Sequence, residues 1–63
     1  MKFIIEILKI GADGSEALVD RSTVLSLTPL GARKEARRLL ALRKGAMARV
    51  LNSQGEVLFN CDE

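Results

Sequence analysis

The first apolar run, KFIIEILKI from Lys2 to Ile10, offers hydrophobic side chains to both sides of an extended chain. Phe3, Ile5 and Ile7 fall on one side, and Ile4, Leu8 and Ile10 on the other. Its Ile content favours a strand, and Gly11 with the Asp13-Gly14 pair supplies a turn after it. A second strand is expected over Ala17 to Leu27, with Val19, Thr23, Leu25 and Leu27 on one side and Leu18 and Val24 on the other. The short connection makes the two an antiparallel hairpin.

The period changes after Leu27. Thr28 can cap free N–H groups of a helix whose first residue is Pro29, where the missing donor does no harm. Leu27, before the cap, is placed to pack on Ala32. With about 100° between successive residues, Leu42, Leu39, Ala32, Ala36 and Leu40 form one apolar stripe centred on Ala32. The helix is expected to end near Lys44-Gly45, where Gly can take a left-handed C-terminal conformation. AMARVL and EVLFN then flank NSQG, with Asn52 and Gly55 at the first and last positions of a type I turn, so a second hairpin follows. The order is β-β-α-β-β in a single domain over 1–63. The fold class is α+β: an antiparallel sheet with one helix packed on one face through Leu39, Leu40, Ala36 and Leu42.

Length changes the picture next. A chain of 63 residues buries only about 60% of the surface its unfolded form exposes, so support beyond its own core is expected. One Cys and no His leave neither an internal disulfide nor a closed structural zinc site, and oligomerisation is what remains. One helix covers one face of a sheet, yet the first strand is apolar on both. Ile4, Leu8 and Ile10 are therefore the candidate self-association residues, and a homodimer the expected state. The alternative is a bulge or twist that turns some of these residues inward.

Charge is unevenly spread. Seven Lys or Arg stand against one Glu between Arg33 and Arg49, whereas three bases face four acids before that segment and three acids follow it. On the helix, Arg33, Lys34, Arg37, Arg38 and Lys44 fall opposite the apolar stripe. They are either a solvated helix back or candidate contacts for an anion or nucleic acid. Arg43 lies in the apolar sector and would reach to the edge of the core from the last turn. Base stacking is poorly provided for, with no Trp or Tyr and both Phe on strands. No Asn or Gln on the helix can read base edges.

Chemistry is sparse. No His can act as a base, and the hydroxyls show no nucleophile-base pattern. The acidic neighbours of Cys61 would raise its pKa, so an idle, half-buried thiol is expected. No catalytic residue, metal, cofactor or small-molecule substrate is inferred. Glu6 and Lys9 interrupt the N-terminal apolar run, which is too short to span a bilayer, so a cytoplasmic protein is expected. These readings converge on a small non-enzymatic interaction module that self-associates through its sheet. Nucleic-acid binding through the basic helix is the rival.

Overall fold

The computed structural model describes residues 1–43 and 47–62. Along the chain lie β1 (Lys2–Ile10), β2 (Glu16–Leu25), α1 (Pro29–Arg43), β3 (Met47–Leu51) and β4 (Val57–Asp62). The strands form one antiparallel sheet in the order β2-β1-β3-β4, so the α+β architecture matches the sequence expectation. Because β2 and β3 both run antiparallel to β1, they are parallel to each other, and α1 carries the chain from one to the other past β1.

Both hairpins turn in the same way. Gly11 and Asn52 donate their N–H groups to the carbonyls of Ser15 and Glu56, at 2.7 and 2.9 Å, and Gly14 and Gly55 donate back to the carbonyls of Gly11 and Asn52, each at 3.0 Å. Three-residue loops of this kind need a left-handed residue in third position, and Gly14 (φ 86°) and Gly55 (φ 87°) supply it. Side chains brace each loop from within. Asp13 Oδ1 accepts from Ser15 N–H at 3.0 Å, and Asn52 Oδ1 accepts from Gln54 and Glu56 N–H, both at 2.9 Å.

The helix starts as expected, with Gly31 N–H donating to Thr28 Oγ1 at 3.1 Å. The approach to it differs. β2 stops at Leu25, and Ser26 bends the chain by donating its N–H to the Met1 carbonyl and its hydroxyl to the Thr28 carbonyl. Leu27 is left 91% exposed, so the expected packing on Ala32 does not form. Lys44 and the expected cap at Gly45 lie outside the described residues.

The helix lies across β1, β3 and β4. Its buried face is Ala32, Ala36 and Leu40, set against Phe3, Ile5, Ile7, Ala48, Val50 and Cys61, with Val24, Leu39 and Phe59 packed at the margin. Alanines at 32, 36 and 48 allow helix and sheet to approach closely. The stripe is therefore centred on Ala36 rather than Ala32, rotated by about 40° around the axis. That rotation brings Leu40 inward and carries Leu42 out to 66% exposure, removing it from the predicted core. Cys61, expected to be half-buried, belongs to the core at 3% exposure. Arg43 reaches out of the buried sector to Asp20 on β2, Nε to Oδ2 at 3.1 Å.

Each outer strand carries one bulge. Asp20 pairs with Ile7 and Leu18 with Leu8, leaving Val19 as the extra residue in β2; Phe59 pairs with Val50 and Val57 with Leu51, leaving Leu58 extra in β4. The first bulge breaks the alternation of β2. It puts Leu18 on the same face as Arg21, Thr23 and Leu25, where unbroken alternation would separate them. The Cα atoms span 36 × 23 × 15 Å, a slab one helix and one sheet thick. Among the described residues, nothing covers the sheet face opposite α1, and no helix is long and apolar enough to cross a membrane.

Candidate functional site

Strand register assigns the side chains of the open face to rows. The even-numbered residues of β1 point away from the helix, and their cross-strand partners share that direction. One row is Thr23, Ile4, Leu51 and Val57, the next is Arg21, Glu6, Arg49 and Asn60, and the third is Leu18, Leu8, Met47 and Asp62. Beyond these, Leu25 lies beside Lys2 and Glu16 beside Ile10, with no neighbour from β3. The face is thus apolar above and below a single charged row.

All three candidate self-association residues lie on this face, but not equivalently. Ile4 is half-buried and Ile10 is exposed past the end of the β1–β3 pairing. Leu8 is only 3% exposed, yet it lies outside the core cluster, flanked in its row by Leu18 and Met47. Leu8 is thus already covered in the single chain and offers almost no surface to a partner. The sequence reading missed Met47, Leu51 and Val57, although MARVL alternates Met47, Arg49 and Leu51 against Ala48 and Val50 in plain period two.

The charged row is the second feature missed. Glu6 sits between two guanidinium groups, with Arg49 Nη2 at 3.6 Å from Oε1 and Arg21 Nε at 4.0 Å from Oε2. These separations make ion pairs but exceed hydrogen-bond distance. The Glu6 side chain is 17% exposed and that of Arg49 30%, and Arg49 Nε is buried with no acceptor among the described residues. Both members of the central pair therefore retain unused hydrogen-bonding capacity in a partly dehydrated setting, where such groups are costly. In sequence, Glu6 had registered only as an interruption of an apolar run.

On the other side of the molecule, the basic helix residues divide. Arg38 pairs with Glu35 one turn back, which holds the Glu35 carboxyl below its usual range. Arg33 is half-buried, with its guanidinium 5.6 Å from the centre of the Phe59 ring. Lys34 and Arg37 are exposed and take part in no ion pair among the described residues. Together with Arg33, Thr28, Leu30 and Gly31 they line a shallow depression of about 490 Å³. Lys44 lies outside the described residues. Phe3 is buried and Phe59 lies beneath Arg33, so neither ring is presented for base stacking. Among the described residues, no three His, Cys, Asp or Glu side chains are grouped so as to hold a metal ion.

Compared with known proteins, the chain matches no family model, no curated protein and no solved structure.

Proposed function

We propose that the protein is a small interaction module whose open sheet face associates with a second copy of the same chain. The observation that carries this reading is the apolar surface of Ile4, Leu51 and Val57 in one row and of Leu18 and Met47 in another, on a face that no described element covers. Leu18, Leu25 and Val57 there are exposed, and contiguous apolar surface of this kind favours burial against a partner. Four strands about 4.8 Å apart, with rows spread along about 20 Å of strand, give roughly 400 Å² of flat face per copy. Two such faces, side chains included, would bury on the order of 1,000 Å², the lower end of specific interfaces.

Sedimentation of the chain at micromolar concentration tests the reading, with a dimer expected. Ile4→Lys or Val57→Lys should dissociate it while preserving the far-ultraviolet spectrum, because both positions lie outside the core cluster. A monomer at the highest attainable concentration defeats it.

A second reading rests on the depression lined by Arg33, Lys34 and Arg37, of which Lys34 and Arg37 are exposed and available to a phosphate backbone. If duplex DNA binds there, Lys34→Gln with Arg37→Gln should flatten the slope of log affinity against log salt by roughly 1.8 units. An unchanged slope leaves these cations as solvated surface.

A further inference from the structure

The charged row determines how two such faces can meet, an inference that rests on the self-association just proposed. A two-fold axis perpendicular to the strands within the interface places each residue of the row over its own copy. So does an axis along β1 or β3 for the residue it passes through: either Glu6 faces Glu6, or Arg49 faces Arg49. Like charges then meet at the centre of the interface, which opposes association. An axis between β2 and β1 sets Arg21 over Glu6, and one between β3 and β4 sets Arg49 over Asn60, but each overlays only two strands of each copy. The remaining choice runs along the strands between β1 and β3, the midline of the sheet, and overlays all four.

We infer that two copies pack open face to open face about this midline axis, with Glu6 of each accepting hydrogen bonds from Arg49 of the other. Every central row is then complementary. Ile4 covers Leu51 of the second copy, Met47 lies over the already buried Leu8, Arg21 faces the Asn60 amide, and Thr23 meets Val57. Leu18 falls opposite Asp62 at the rim, where solvent remains. One hydrogen-bonding shortfall of the isolated chain is met as well. The Glu6 carboxylate accepts no hydrogen bond among the described residues, and the Nη groups at the outer end of the 30% exposed Arg49 side chain would meet it across the axis, although the buried Nε would not. Sheets packed face to face cross at about 30°, which displaces the corners but leaves rows near the axis aligned. Burying this row adds little affinity, because dehydration offsets the attraction; its contribution is register, which a purely apolar face would leave free to slide.

Charge exchange tests the arrangement. In Glu6→Arg alone, two arginines face each other across the axis, and in Arg49→Glu alone, two carboxylates do. Each variant should lose dimer affinity by more than about tenfold. Mixing the two restores both contacts in a heterodimer, so association should return on mixing, which no interaction within one chain can produce. If the wild-type chain dimerises and the mixture stays monomeric, the axis is wrong while self-association stands. Single variants that dimerise as well as the wild type overturn the axis too, and a monomeric wild type removes the reading beneath it.

Should either variant lose its helical spectrum, a short bis-maleimide applied to mixed Thr23→Cys and Val57→Cys chains tests the same geometry at exposed positions, with the parent chain as the blank for Cys61. The mixture should cross-link more than about tenfold faster than either variant alone, since effective concentration is high only where the linker spans the sites. Equal rates overturn the axis.

Discussion

Leu40 and Leu42 stand two residues apart on α1 and meet opposite environments, the first packed among Ala36, Val50 and their neighbours, the second in water. Leu40→Ala should therefore cost about 2 to 5 kcal/mol, whereas Leu42→Ala should stay within about half a kcal/mol. Urea unfolding of the two variants checks the contrast, and a similar loss for both would return the stripe to the centre read from the sequence. That reading assigned the helix a buried side correctly but misplaced its middle. An apolar arc running from Leu42 to Leu40 is wider than the contact it makes, and the sheet decides which part is used. Here β1, β3 and β4 lie beneath α1, so Arg33 approaches Phe59 and Leu42 is released. Nothing local to the helix distinguishes the two leucines.

Among the elements, the hairpins were the most legible, because their chemistry is contained within a few residues. A left-handed Gly in third position and an Asp or Asn bracing the loop can be read without reference to the rest of the chain. Asp13 also makes the first hairpin sensitive to acid. Hydrogen bonds from the Ser15 side chain, then from backbone N–H groups, hold its carboxyl below the ordinary Asp range. A pKa lowered by folding contributes stability that is present above the unfolded value and lost as pH falls through the folded one. The wild type should therefore melt higher than Asp13→Asn at neutral pH, with the difference closing in acid below the ordinary Asp range. Thermal unfolding of both chains along a pH series measures this, and a gap that persists in acid would show that the charge is not its source. A bulge was among the readings the two-faced pattern allowed, but where the bulges fall was not legible. Val19 and Leu58 are ordinary strand residues, and no Gly or Pro marks either as the residue without a partner.

For the molecule as a whole, element order was readable and strand order was not. The pairing of β1 with β3 joins residues some forty positions apart, and the alternative placement of the second hairpin satisfies the same local signals. The candidate site suffered from the same gap. Ile4, Leu8 and Ile10 could be selected from one strand, but the face they belong to exists only once Met47, Arg49 and Leu51 are laid beside them. Glu6 changes meaning at that point, from a blemish in an apolar run to the middle of a row with an arginine on each side.

The two bulges have a consequence for how growth of an assembly ends. The outward edges of β2 and β4 carry backbone groups that another strand could extend, the usual route from a sheet to a fibre. Val19 and Leu58 interrupt the regular spacing of each outer strand and increase its local twist, so an incoming chain would lose register after a few residues. With both edges made poor templates and, among the described residues, one broad face uncovered, the dimer proposed above would use up that surface and leave further chains no equivalent place to attach. A short, half-apolar polypeptide can in this way remain a discrete particle.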